Sequence, residues 1–541
     1  MLARADALAA LADAPFDVLV IGGGITGAGV ALDAASRGFA VALVEKGDYA
    51  RGTSSRSSKL VHGGLRYLQT FELGLVREAL RERRLLARLA PHLVRPLPFV
   101  VPAFGGARPD RMLGLALNLY DVMGRDGGRR RRGREEHWSP ERHRTVGGEE
   151  VVALLPALAD RAPTGGYLFY DCQTDDVRLV LTVLAEAERF GAVAANRVEA
   201  VALGGGGALV RDTETGVELQ VRAAHVVNAT GVWADRLQPD GRHGGTGVPV
   251  IRPSRGTHVL LPSEALPVRA GAIARAGGGR SVFVVPWLGR TLVGTTDNDF
   301  DGDIEHVRPA EPDVDYLLDA CNAFFGTSLT PADTAGAYAG VRPLIATGDP
   351  KKSVDISRRA ELYETSDGMV TITGGKLTTW RRMAKLAVDR IVERDGREAP
   401  CRTHEIPLGV PVGADALPRV EGVPEEAYAQ LAGRYGGAAR DVLGIAAGHR
   451  ELAQPVLPGL PDLLAEAAFA ARREQAHTVG DVLLRRTRLG LTGARALCAP
   501  GEQAAERVAA VLAAEHGWDA ARVAAEADAF RAEAAAEGVV L

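Results

Sequence analysis

DVLVIGGGITGAGVALDAASRGFAVALVEKGD, residues 17–48, decides the fold. Two apolar runs, DVLVI and VALVE, bracket a glycine-rich turn and a stretch of helical character from Ala28 to Ser36. Unbroken apolar runs suit strands buried on both faces of a parallel sheet. Gly22, Gly24 and Gly27 form GxGxxG between strand and helix. Glycines so spaced allow a tight turn, close approach of backbone to a pyrophosphate, and close packing of the helix whose N-terminus faces the phosphates. Glu45 ends the second run about twenty residues on, where a carboxylate accepts hydrogen bonds from a ribose.

The same strand-to-turn pattern recurs twice. AAHVVNATGVWAD (223–235) ends an apolar strand at Ala229-Thr230-Gly231, and MVTITGGKLTTWRRMAKLAVDRIVER (369–394) reads as strand, glycine turn and helix around Gly374, Gly375 and Lys376. An NAD site needs little beyond the first unit. Three such segments converging on one ligand suit the longer, bent FAD molecule.

Between the first unit and these lies RGTSSRSSKLVHGGLRYL (51–68), with five aliphatic hydroxyls, four cations, His62 and the pair Gly63-Gly64 in eighteen positions. A solvated loop has no need of that succession, so the stretch is read as shaped around an anion.

Composition bounds the rest. At 541 residues the chain calls for two or three domains, and its net charge of −4 gives no reason to expect nucleic acid. Six of its 64 cationic residues are lysines, and Lys59 and Lys376 fall inside motifs. Cys172, Cys321, Cys401 and Cys498 are far apart and form no CxxC, which disfavours a disulfide framework or a zinc site and fits a reducing cytoplasm. Asp6 and Asp13 interrupt the N-terminus where a signal peptide needs an uncharged apolar core, and no run approaches a membrane-spanning helix. After Pro400 the pattern turns to Ala-, Glu- and Arg-rich helical periodicity, placing a domain boundary near 396. That helical region shows no catalytic constellation, and packing and homodimer contact are its expected work.

IGGGITGAGVALDAASRG, TSSRSSKLVHGGLRYL, YDCQTDDVRLV, NATGVWAD, GTTD, GVRPL, GGKLTTWRRMA and the C-terminal DVLLRRTRLG together make the whole chain resemble the FAD-dependent (aerobic-type) glycerol-3-phosphate dehydrogenases. The resemblance is weakest in the arginine-rich RDGGRRRRGREE (125–136). It implies an α/β fold: a glutathione-reductase-like, Rossmann-type FAD-binding domain over 1–95, 192–247 and 335–395, an inserted antiparallel-sheet substrate domain over 96–191 and 248–334, and an all-α C-terminal cap domain over 396–541.

The resemblance further implies that Thr53, Ser54, Ser57, Ser58, Lys59, Leu60, His62, Gly63 and Gly64 wrap the cofactor's diphosphate, ribityl chain and ring. Val198, Ala229, Thr230, Gly231, Gly375, Lys376, Leu377 and Thr378 are expected to complete the cofactor site. Arg66 and Tyr67 lie where the family binds substrate, a guanidinium offering the planar fork that phosphate takes bidentately. Arg342, in GVRPL, is the second cation expected at the substrate. Lys376 is expected either to hold substrate phosphate or to stabilise negative charge on the reduced flavin's N1 side.

The implied reaction is oxidation of sn-glycerol 3-phosphate to dihydroxyacetone phosphate, with hydride passing from C2 to flavin N5 and electrons onward to a quinone. A general base with a pKa near working pH favours histidine. His258, in RGTHVL, is the first candidate and His62 the rival. Arginine stays protonated, so Arg342 takes an electrostatic role. Asp297 and Asp176 are assigned to turns or caps before chemistry. Alternatives are a glycerol-3-phosphate oxidase that makes H2O2 from O2, a glycine-oxidase-like amino-acid oxidase, and a non-catalytic flavin module.

RMLGLALNLYDVMG (111–124) is apolar, and six arginines follow between 125 and 134. The pair reads either as core helix plus basic loop or as a helix lying on an anionic membrane surface. The family's habit of peripheral membrane attachment favours docking at the inner face of the cell membrane.

Overall fold

The computed structural model describes residues 1–65, 72–105, 111–124, 142–204, 206–237, 251–277, 280–345, 360–365 and 368–541. Phe16–Ile21, Val41–Glu45, Val193–Asn196, Glu218–Asn228 and Val370–Gly374 are the parallel strands of a first sheet. Ala360–Glu364 closes one edge antiparallel, and Val198–Leu203 and Gly207–Asp212 extend the strand Glu218–Asn228 as an antiparallel flap. Phe16–Ile21 lies between Val41–Glu45 and Glu218–Asn228, so chain order reverses beside it. Open α/β sheets bind ligands at the carboxyl ends of the strands at such a point.

The helix Ile25–Ser36 is buried along nearly its whole length. It packs against the helices Asp176–Arg189 and Trp380–Asp395 on one face of this sheet. The closeness is steric: a Cβ on Gly27 would lie 1.8 Å from the Gly22 carbonyl oxygen. A Cβ on Gly29 would lie 2.5 Å from the Trp380 ring.

A second, mostly antiparallel sheet includes the long pair Ile251–Pro262 and Gly336–Ile345, whose register sets His258 opposite Tyr338 and Ser254 opposite Arg342. Its two faces follow the strand alternation. Val259 and Leu261 share a core with the helix Glu311–Phe325, while Leu260 and Tyr338 share one with the C-terminal helices, among them Leu464–Glu474 and Ala504–His516.

Two limits differ from those expected. The helix Asp176–Arg189, expected in the substrate domain, packs on the first sheet through Val177, Val180, Val183 and Leu184. The strand Gly336–Ile345, expected in the FAD-binding domain, pairs over its whole length within the second sheet. Amphipathic periodicity declares a buried face without declaring which sheet covers it. The boundary near 396 coincides with the end of the helix Trp380–Asp395, where Gly396 adopts a left-handed cap.

Substituting Gly27→Ala drives a methyl into the Gly22 carbonyl. We expect a loss of about 3 kcal/mol or more, read as a lowered melting temperature of the purified protein.

Candidate active site

At the carboxyl end of the first strand, the Gly22 amide donates to Val44 O at 2.8 Å and the Ala229 amide to Ile21 O at 2.9 Å, tying three strand ends together. The Glu45 carboxylate accepts from the Gly23 amide at 2.7 Å and the Gly47 amide at 2.9 Å. Burial raises its pKa above the ordinary carboxylate value, and the two amides oppose the rise. A carboxylate has about four acceptor positions, so two remain for a ribose. The helix Ile25–Ser36 starts without an acidic residue in its first turn, and Ser54 Oγ accepts from the Ile25 amide at 3.0 Å. A tight turn of small residues, a positive helix end and a strand-end carboxylate fit a dinucleotide.

The next stretch runs from this turn into the second sheet. Thr53 Oγ1 donates to Val341 O at 2.7 Å, and Leu60 pairs with Gln173. The Gly63 amide donates to Asp171 Oδ1 at 3.2 Å, and Tyr120 OH donates to the same carboxylate at 2.9 Å. A Cβ on Gly63 would meet Leu80 Cδ2 at 2.3 Å and Tyr120 OH at 2.4 Å, so only glycine fits. The His62 amide donates to Thr378 Oγ1 at 3.2 Å, and His62 Nδ1 accepts from the Gly64 amide at 3.1 Å. The HGG and GGKLTT segments thus meet, as a shared ligand requires.

His258 is 2% exposed. Its Nε2 lies 2.9 Å from Ser58 Oγ, and its ring stacks on Tyr338 with centroids 4.7 Å apart and planes 11° from parallel. Nδ1 is buried and has no hydrogen-bond partner among the described residues. Burial first, then the charges of Lys59 and Arg342, hold the imidazole pKa well below its ordinary value. The ring is neutral at physiological pH, with Nδ1 buried and unpaired.

Arg342 lies on the same pair of strands. Its guanidinium donates to Asp297 Oδ1 and Thr296 O at 3.0 Å and to Thr295 Oγ1 at 3.1 Å. Ser254 Oγ donates to Asp297 at 2.5 Å. Asp297, read from sequence as a turn residue, therefore orients the Arg342 fork. Asp176, read the same way, pairs with Lys59 at 2.7 Å, and the cap of its helix is Asp175.

The structure draws together the turn 22–27, Glu45, Ser54 and 229–231, where Thr230 Oγ1 donates to Asn228 Oδ1 at 2.7 Å. Ser57 holds Asp176, and Val198 is a buried residue at the start of its strand. Lys376 precedes the short turn Leu377–Thr379. The Lys59 ammonium is fully buried on Asp176 and Ser55 O. The left-handed backbone of Lys59, φ 59°, turns the side chain inward. Arg66 and Tyr67 lie outside the described residues. Sequence reasoning missed Tyr338 as the stacking partner of His258, a relation that only strand register reveals.

Comparison with known proteins follows the same outline. The model of the FAD dependent oxidoreductase family matches residues 17–390, and that of the C-terminal domain of alpha-glycerophosphate oxidase matches residues 371–523. The chain is 39% identical over 552 residues to glycerol-3-phosphate dehydrogenase 2 of Mycobacterium tuberculosis, covering 99% of this chain and 90% of that one. It is 35% identical over 507 residues to glycerol-3-phosphate dehydrogenase of a Synechocystis species, covering 88% and 89%. The solved glycerol-3-phosphate dehydrogenase from Bacillus halodurans, complexed with FAD, superposes with a TM-score of 0.78 at 28% identity, over 99% of this chain and 97% of that chain.

The neutral state of His258 has a consequence for stability. As pH falls below about 6.5, the unfolded chain takes up a proton on this ring that the folded one refuses. Folding free energy is therefore lost on acidification, by up to about 1.4 kcal/mol for each pH unit. Denaturation at a series of pH values should show the slope flatten between about 6.5 and 5 in His258→Asn; an unchanged slope would mean that the ring protonates freely.

Proposed function

The chain belongs to the FAD-dependent glycerol-3-phosphate dehydrogenase family, and we propose that it oxidises sn-glycerol 3-phosphate to dihydroxyacetone phosphate with a quinone as the onward electron acceptor. The observation that carries the reading is the buried, unpartnered His258 Nδ1 on the same strand pair as Arg342. FAD, when bound, supplies the acceptor for the hydrogen that leaves C2 with its electron pair. The residues to hold it are the turn 22–27, Glu45, Ser54, the HGG segment, 229–231 and 375–378.

The protein's own part is acid–base and electrostatic. In this reading the His258 ring carries hydrogen on Nε2, donated to Ser58 Oγ, and offers Nδ1 to the proton of the C2 hydroxyl. Stacking on Tyr338 holds the ring plane, and the cations that depress its pKa keep it unprotonated before substrate arrives. Arg342, oriented by Asp297, holds and polarises the bound anion, and Lys376 with Arg66 and Tyr67 takes the phosphate.

No helix among the described residues is long and apolar enough to cross a membrane. The helix Arg111–Met123 nonetheless turns Met112, Leu115, Leu119 and Val122 outward, at 73, 64, 40 and 63% exposure, while Gly114, Leu117 and Tyr120 pack inward. An apolar stripe at helical spacing supports docking on a lipid interface, and the basic run after it, outside the described residues, supports an anionic one.

Mixing the holoenzyme anaerobically with sn-glycerol 3-phosphate should bleach the flavin absorbance, and the bleaching should persist in air until a quinone is added. Absence of bleaching overturns the substrate, and rapid reoxidation with peroxide makes the enzyme an oxidase. His258→Asn should slow bleaching by about a hundred- to ten-thousandfold with FAD still bound. For docking, sedimentation with anionic vesicles should fall sharply in the double variant Met112→Asp/Leu115→Asp; equal sedimentation of both proteins removes the helix from the interface.

A further inference from the structure

Arg488 of the C-terminal domain reaches the segment that carries Ser58, the hydrogen-bond partner of His258. Arg488 has a left-handed backbone, φ 68°, two residues after the end of the π-helical turn Asp481–Arg486, and its side chain is 1% exposed. It donates to Leu484 O at 3.1 Å within its own domain. Across the domain seam it donates to Ser55 O at 2.9 Å and to Asp176 Oδ1 at 3.3 Å. Lys59 donates to the same carbonyl at 2.5 Å and to the other oxygen of the same carboxylate at 2.7 Å. Two buried cations thus share two buried acceptors, the Ser55 carbonyl and the Asp176 carboxylate. Asp175 lies 3.9 Å from Arg488 Nε and contributes the second negative charge.

These contacts converge on residues 55–59. Asp176 Oδ2 accepts from the Ser57 amide at 3.1 Å and its hydroxyl at 2.7 Å, Tyr338 OH donates to Ser57 O at 2.7 Å, and the Lys59 amide donates to Ser57 Oγ at 3.0 Å. Ser58 is held between two anchored neighbours, and its own hydroxyl lies 2.9 Å from His258 Nε2. The arrangement explains why a helical domain without catalytic groups of its own is packed against this face of the second sheet.

We propose that Arg488 is a positioning residue of the reaction: by holding Ser55 O and Asp176 jointly with Lys59, it fixes Ser58 Oγ at His258 Nε2 and so sets which ring nitrogen carries the proton. The inference rests on His258 acting as the base. A hydroxyl displaced by a fraction of an ångström ceases to select one tautomer, and both nitrogens then compete for the hydrogen.

Arg488→Lys keeps the charge but loses the fork that serves Leu484 O, Ser55 O and Asp176 together. In the FAD-loaded full-length enzyme, kcat per bound flavin should fall by roughly ten- to a hundredfold, with KM for sn-glycerol 3-phosphate changed by less than about threefold. In a Ser58→Ala background the same substitution should cost less than about twofold, because the contact it supports is already gone. Long-range nitrogen–proton spectra of histidine-labelled holoenzyme should show His258 as one tautomer, with hydrogen on Nε2, and as a mixture in either variant. Unchanged kcat per bound flavin, an equal loss in both backgrounds, or an unaltered tautomer overturns the proposal. Arg488→Ala should lose at least as much, and if it fails to fold, Arg488→Lys decides alone. Wild-type enzyme that sn-glycerol 3-phosphate does not reduce overturns the substrate reading instead, and the tautomer spectra still decide the role of Arg488.

Discussion

Taking an ammonium and a carboxylate out of water costs several kcal/mol for each ion, and the attraction between them repays this only when the remaining donors and acceptors are satisfied. Lys59 and Asp176 meet that condition. Both are fully buried, and the Ser55 carbonyl, the Ser57 amide and hydroxyl, and Arg488 complete their hydrogen bonds. Burial, aided by the charge of Arg488, still brings the Lys59 pKa down to about 7, which measures how little water reaches it. The demand for so many partners locks residues 55–59 into one conformation. Every feature nearby depends on that lock, because the same short stretch leaves the nucleotide turn at one end and enters the second sheet at the other.

The electrostatics of His258 and Arg342 are opposed. His258 lies among cations and is held neutral, whereas Arg342 keeps its charge beside Asp297. A base must be free of its proton before substrate arrives and an anion receptor must remain charged; under the proposed roles, a carboxylate at the arginine and, among the described residues, none at the imidazole would meet both requirements. Asp297 is partly exposed, with 35% of its side chain accessible, and its pairing with Arg342 is correspondingly adjustable when a second anion binds.

The nucleotide turn was legible because its constraints are local. Gly22, Gly24, Gly27 and Glu45 sit within one strand–helix–strand unit, and spacing alone states what they can do. HGG and GGKLTT were read as ligand-facing segments through resemblance, and in the structure they meet at His62 and Thr378. What stayed hidden depends on non-local pairing. Nothing in RGTHVL announces that Tyr338 will lie across from His258, since register is fixed only when two strands eighty residues apart align. The burial of the Lys59 ammonium stayed hidden because a lysine in a loop of hydroxyls reads as an anion ligand, and its inward turn follows from a backbone angle that no motif encodes. The helix Asp176–Arg189 and the strand Gly336–Ile345 were assigned to the wrong neighbours for the same reason.

The second sheet is covered on one face by the helix Glu311–Phe325 and on the other by the C-terminal helices, and the second cover comes late in the chain. During synthesis, the strand bearing His258 leaves the ribosome more than two hundred residues before Arg488. Until then Leu260, Trp287 and Tyr338 lack the apolar surface they are buried against in the finished protein. The nucleotide-binding turn waits as well, because its strand pairs with Glu218–Asn228 and its helix packs against Trp380–Asp395. The first sheet and its helices are therefore complete once the chain has passed Asp395, and the cover behind Tyr338 only after Arg488, so the two layers of the protein are finished in order of sequence.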